Sequence, residues 1–183
     1  VVDPAWDIDR LVSEAESDEL QILMILLTHG HPDHMEGAAG LSKRFDIPAY
    51  ISQDEAPFYM PHLQRLHHLS NGEKISIGKI TVECIATPGH TPGGMCFRAG
   101  DVLITGDTLF IDGCGRCDLP GGDPQQMYDT LYHVIKKLPD SLIVYPGHSY
   151  GPSSSATLGR QKQTNPYLTC AGKKDFLEHR MGY

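Results

Sequence analysis

Apolar and polar positions fall along this chain in short blocks, each closed by Gly or Pro. Residues 9–19 carry Leu11, Val12 and Ala15 among acids, which predicts a short amphipathic helix. The run Ile22-Leu23-Met24-Ile25-Leu26-Leu27 follows and reads as a buried strand. Ala38, Ala39, Leu41 and Phe45 stand at helical spacing and predict a helix over 35–45, stopped by Asp46-Ile47-Pro48. Ala49-Tyr50-Ile51 then completes a strand–helix–strand unit. Residues 54–69 give no single pattern: Pro57 and Pro61 break them, and His62, His67 and His68 predict an exposed or lid-like segment.

Two hairpins come next. Residues 74–77 and 80–85 alternate around Gly78-Lys79, and 95–98 and 102–105 flank Ala99-Gly100-Asp101. A Gly-rich loop over 113–122 leads to Pro124 at a helix start. That helix runs to about residue 137, with Met127, Leu131, Val134, Ile135 and Leu138 along one face. Residues 142–145 form a further strand, and the polar tail predicts short helices over 157–163 and 174–180. Strands and helices interleave, hairpins included, so the fold class is a mixed α/β sandwich and not a doubly wound parallel sheet. One domain over 1–183 is expected, with 152–183 as a short C-terminal extension.

The strand ends carry the chemistry. Thr28-His29-Gly30-His31-Pro32-Asp33-His34 places three imidazoles and a carboxylate directly behind the Ile22 strand. Alternation at a strand end would turn His29 and His31 one way, with Asp33 and His34 reaching a point beyond. Three further strands end in His90, Asp107 and His148, each beside a Gly. Imidazole and carboxylate without thiolate suit zinc or iron. Six terminal ligands and one bridging carboxylate fit two divalent ions at the separation used in two-metal hydrolysis.

Composition narrows the partners. A net charge of −8 argues against nucleic acid, and Asp3, Asp7 and Asp9 make the N-terminal stretch acidic too. No apolar run approaches the length of a transmembrane helix, so no membrane partner is expected, and 1–10 does not read as a signal peptide. Five cysteines do not read as a disulfide framework, which makes a reducing cytoplasm the expected location. The pair Cys114-Gly115-Arg116-Cys117 has no second pair to complete a four-thiolate site and reads as loop sequence.

Taken together, His29-x-His31-x-Asp33-His34, Pro88-Gly89-His90, Thr105-Gly106-Asp107 and Pro146-Gly147-His148 resemble the motif set of the metallo-β-lactamase superfamily. The resemblance covers about 1–150 and implies an αββα sandwich with metals along one edge of its sheets. By that resemblance His29, His31 and His90 hold one ion, Asp33, His34 and His148 hold the second, and Asp107 bridges. The family places strands before the segment matching Val1-Val2-Asp3-Pro4, so a fold lacking its first strands is expected.

The stretch Gly106-Asp107-Thr108-Leu109-Phe110-Ile111-Asp112-Gly113-Cys114-Gly115-Arg116 looks like glyoxalase II (hydroxyacylglutathione hydrolase), and equally like the related persulfide dioxygenases. Glyoxalase II has a Tyr two positions after the loop cation and a sizeable C-terminal helical domain. Here the cation is Arg116, the later position is Asp118, and the stretch after His148 is short. The thiol carrier is therefore open between glutathione and a phosphopantetheine arm, the latter implying an acyl carrier protein as partner.

The expected activity is metal-dependent hydrolysis of a small-molecule thioester by metal-bound hydroxide, with two zinc ions, or iron in their place. Asp33 serves as ligand and as the group that orients or accepts the water proton. Arg116 binds a carboxylate or phosphate of the carrier, or else makes a salt bridge within its own loop. An alternative is a mononuclear iron persulfide dioxygenase. A nuclease or phosphodiesterase meets the wrong charge, a lactonase has no feature in its favour beyond the shared ligands, and a closed structural zinc site needs only four ligands.

Overall fold

In the computed structural model the described residues are 1–55 and 63–181. The chain divides into two compact units, Val1–Ser70 and Asn71–Tyr183.

In the first unit, the Asp7 carboxylate accepts from the Arg10 amide and starts helix α1, Ile8–Ser17. Strand β1, Ile25–Leu26, runs parallel to β2, Ala49–Ser52, which runs parallel to β3, Leu66–Leu69. On the other side of β1, Val2 forms a parallel bridge to Leu26. The Asp3 amide donates to the Leu26 carbonyl at 3.0 Å. Val12, Ile25, Leu27, Ala38, Leu41, Ile47, Ala49 and Ile51 form the core.

Two expectations change here and a third is resolved. The apolar run 22–27 is buried only from Ile25 onward, and Leu23 is 51% exposed. The helix expected over 35–45 is two helices, α2 at Pro32–Met35 and α3 at Ala38–Phe45. The break has a definite cause: the Gly37 amide donates to the Pro4 carbonyl at 2.9 Å instead of to its own helix. Finally, of the two forms expected for His67 and His68, exposed or lid-like, the structure shows the first, on a strand. Both side chains are exposed on β3, and His67 stacks on Tyr50. His62 lies outside the described residues.

The second unit is built on a six-stranded sheet. Its strands are β4 (Lys74–Ile77), β5 (Ile80–Ala86), β6 (Met95–Ala99), β7 (Val102–Gly106), β10 (Ile143–Pro146) and β11 (Ala156–Thr157), in the order β11-β10-β7-β6-β5-β4. Both expected hairpins are present, with Ile77 opposite Ile80 and Ala99 opposite Val102. The pairing of β10 with β7 is parallel, which brings the ends of these two strands to the same edge.

A short ribbon, β8 (Leu109–Phe110) with β9 (Gly113–Cys114), interrupts what the sequence suggested was loop. Helix α4, Pro124–His133, is capped by Asp123, whose carboxylate accepts from the amides of Gln125 and Gln126. It ends at Val134, and a 3₁₀ turn, Ile135–Lys137, carries on. Helices α5 (Leu158–Thr164) and α6 (Lys173–Met181) follow. The tail is less of an appendage than its polarity implied, because Leu158, Leu168 and Phe176 are fully buried in this unit's core. No helix among the described residues is long and apolar enough to cross a membrane.

Candidate metal centre

In the first unit the ligand turn leaves β1 buried: Thr28, His29 and His34 are each 2% exposed. One carboxylate organises it. Asp3 Oδ1 accepts from the Thr28 amide at 2.8 Å, and Oδ2 accepts from the Thr28 hydroxyl at 2.6 Å. The same Oδ2 lies 2.9 Å from His34 Nδ1, which must therefore be the protonated nitrogen and donate to it. Since the Thr28 proton is committed to Asp3, His29 Nδ1, 3.0 Å from Thr28 Oγ1, donates in turn. Both rings thus keep Nε2 as an acceptor, the form in which imidazole binds a metal.

The rings are close together. His29 lies 4.1 Å from His34 and 4.8 Å from His31 by centroids, and Asp33 Oδ2 is 3.8 Å from His34 Nε2. Ligand-type atoms of Asp3, His29 and His34 all fall within 4.8 Å of one another. Asp3, however, already accepts three hydrogen bonds, so it positions the imidazoles from behind. Burial lowers the pKa of His31, against the raising effect of Asp33 and Glu55, and His34 lowers it further. The shift favours the neutral ring that ligation needs.

In the second unit one carboxylate oxygen stands between two imidazoles. Asp107 Oδ2, just past β7, lies 3.6 Å from His90 Nε2 and 3.5 Å from His148 Nε2. His90 Nδ1 is 2.6 Å from the Arg116 carbonyl, a pure acceptor, so Nδ1 carries the proton and Nε2 accepts. The separations exceed a hydrogen bond. Two ligand atoms on one zinc ion at a tetrahedral angle lie about 3.3 Å apart, which is close to what is seen. The donor set therefore fits a divalent ion.

The loop that supplies the Arg116 carbonyl is seated tightly. A Cβ on Gly115 would lie 1.8 Å from the Asp107 carbonyl oxygen and 3.1 Å from His90 Cγ, so only glycine fits. Arg116 itself is turned outward. Its Nε and Nη2 donate to the two oxygens of Asp118, each at 2.7 Å, in an exposed bidentate pair. His148 is flanked by aromatics: Tyr150 stacks on it at 5.0 Å and Phe110 meets it edge-on at 6.1 Å.

A family model described as "Metallo-beta-lactamase superfamily" matches residues 1–148. The chain belongs to the metallo-β-lactamase superfamily. Among curated relatives, the Bacillus subtilis protein named probable polyketide biosynthesis zinc-dependent hydrolase PksB is 34% identical over 180 residues, covering 98% of this chain and 80% of that protein. Hydroxyacylglutathione hydrolase GloC of Haemophilus influenzae is 31% identical over 186 residues, covering 92% of this chain and 86% of that one. Among solved structures, ETHE1 from Myxococcus xanthus aligns with a TM-score of 0.88 and 28% identity, over 100% of this chain and 80% of that chain. The fold class expected from the motifs is thus borne out, as is the glyoxalase II-like, persulfide dioxygenase-related branch. The chain is a metallo-hydrolase by family.

Each unit gathers its own share of the expected ligands: His29, His31, Asp33 and His34 in the first, His90, Asp107 and His148 in the second. Residue-by-residue reading passed over Asp3, Glu55 and Tyr150. Asp3 was findable, since Val1-Val2-Asp3-Pro4 is itself an apolar pair ended by a carboxylate and a proline. Nothing local in the sequence marks Glu55, which is 1% exposed, or the stacking of Tyr150.

Proposed function

We propose that this protein is a dinuclear metal-dependent thioester hydrolase. The observation that carries the reading is the single Asp107 oxygen between His90 and His148, an arrangement suited to a carboxylate bridging two ions. In this reading His29, His31 and His90 hold one ion, Asp33, His34 and His148 hold the other, and the whole chain acts as one catalytic domain. Bound divalent ions, zinc in preference to iron, would lower the pKa of water towards about 7 and polarise a thioester carbonyl.

The chain's own residues do the rest. Asp33, the most exposed carboxylate of the set at 44% of its side chain, orients the attacking water and takes its proton on Oδ. Asp3 and the Arg116 carbonyl keep His34 and His90 in the tautomer that leaves Nε2 free of a proton. Tyr150 offers an apolar face beside His148 for the acyl or carrier portion of the substrate. Arg116 recognises the carrier's anion by exchanging it for Asp118.

The relatives support two carriers. GloC is named for hydroxyacylglutathione and PksB for polyketide biosynthesis, where an acyl carrier protein would present the thioester on phosphopantetheine. Five cysteines that do not read as a disulfide framework favour a reducing cytoplasm. The second reading, a mononuclear iron persulfide dioxygenase, draws its support from the likeness to ETHE1.

The test is free-thiol release from S-lactoylglutathione and from an acyl-phosphopantetheine, without oxygen. Fast release from either supports hydrolysis and names the carrier. Release from neither, with oxygen uptake on glutathione persulfide, overturns it.

A further inference from the structure

The turn linking β8 to β9 and the loop that continues from β9 together meet every ligand of the second unit. Phe110 meets His148 edge-on, and a Cβ on Gly151, just past that histidine, would lie 2.4 Å from the Ile111 carbonyl. Beyond β9 (Gly113–Cys114) the chain continues to Gly115, seated on Asp107 and His90, and to the Arg116 carbonyl that accepts from His90. A shift of this turn would move all three contacts together.

Two fully buried amides hold the turn from the far side. Gln161, on α5, accepts from the Asp112 amide through Oε1 at 2.8 Å and donates from Nε2 to Asp112 Oδ1 at 3.2 Å. Asn165 Nδ2 shares its two protons among three acceptors, the carbonyls of Phe110 at 3.2 Å and Gly113 at 3.0 Å and Gln161 Oε1 at 3.0 Å. Asn165 Oδ1 accepts from the Tyr167 amide, and the Thr164 hydroxyl shares its one proton between the Arg160 carbonyl at 3.1 Å and Asp112 Oδ1 at 3.3 Å. Asp112 sits at φ 58, a backbone state that costs a non-glycine residue energy and persists only where neighbours enforce it. Buried amides are tolerated only when their hydrogen bonds are met, and here they are met largely by this one turn.

We propose that Gln161 and Asn165 are positioning residues for the metal ligands His90, Asp107 and His148, acting through the 110–113 turn. The proposal rests on the metal reading above. It gives helix α5 and the residue that ends it a task in a site that none of α5's residues touches.

The test is a donor–acceptor swap. Gln161→Glu turns the Nε2 donor into an oxygen facing the Asp112 carboxylate, and adding Asp112→Asn restores one donor and one acceptor with the roles reversed. Two readings are taken on each folded variant: Co(II) affinity by chelator competition, with its visible spectrum, and the downfield His90 Nδ1 proton of the metal-free protein by NMR. Expected are a roughly 10- to 100-fold loss of Co(II) affinity in Q161E, the range for groups one layer behind a metal ligand. A displaced His90 proton signal should accompany it, and both should return towards wild type in the double variant. Should Q161E not fold, Thr164→Val removes one donor to the same carboxylate and should move both readings in the same direction by less. Variants that melt earlier yet keep wild-type affinity, spectrum and proton signal would overturn the proposal, leaving the amides a purely structural role. A wild-type chain that binds no Co(II) would instead remove the metal reading, while the NMR arm still decides whether the amides position His90.

Discussion

The two ligand clusters are held by different means. In the first unit His29, His31, Asp33 and His34 fall within six consecutive positions and are fixed by a charge, the Asp3 carboxylate, brought alongside β1 by the parallel bridge at Val2. In the second unit three ligands come from three separate strand ends, and what fixes them is neutral: a backbone carbonyl behind His90, a glycine seat under Asp107 and a clamped turn beside His148. A carboxylate behind an imidazole sets its tautomer strongly and raises its basicity, whereas a carbonyl sets the tautomer with less electrostatic gain. The first cluster is thus sensitive to one side chain, and the second to backbone placement.

Substitutions can break this contrast, and the largest effect falls where both imidazoles share one oxygen. Asp107→Ala should abolish the bridge and lower metal binding and turnover together, by more than the roughly 100-fold upper range seen for groups behind a ligand. Metal retained at near-normal turnover would refute the bridging role. Asp3→Asn comes next. Its shape is preserved, but an amide nitrogen facing His34 forces that ring to move its proton to Nε2. Metal affinity should fall about 10- to 100-fold, while melting temperature changes little. A normal affinity would show that the carboxylate's charge is dispensable.

Gly115→Ala probes the neutral side. A methyl group 1.8 Å from the Asp107 carbonyl oxygen forces the loop to retreat, with overpacking worth about 1–3 kcal/mol. Here stability and metal affinity should fall together, unlike Asp3→Asn, which calorimetric melting with and without metal would distinguish. The smallest effect belongs to Asp118→Asn, which breaks an exposed pair and frees the Arg116 fork. It should lower KM for a glutathione thioester roughly two- to fivefold, the scale of an exposed ion pair, and leave an uncharged thioester unaffected. No difference between the two substrates would take Arg116 out of carrier recognition.

What was legible in the sequence follows the same division. Ligand types at the ends of apolar blocks stood out, because His29 to His34 are contiguous and His90, Asp107 and His148 each follow a run that must be strand. The two hairpins were equally plain from alternation around Gly78 and Gly100. What periodicity could not convey was long-range hydrogen bonding. The Gly37 amide bonds to Pro4 and splits a helix that local spacing made continuous. Asp3 reaches Thr28 and His34, and Asn165 reaches Phe110 and Gly113, across separations no local pattern encodes. Leu23 is apolar yet half exposed, because it precedes β1, whose two residues are both buried.

The most direct measurement is the number of divalent ions per chain, by elemental analysis of protein prepared without chelators, alongside anaerobic thiol release. Two ions per chain, together with thiol release, is the predicted result. A single iron per chain, no thioester cleavage and oxygen consumption on a persulfide would contradict the account.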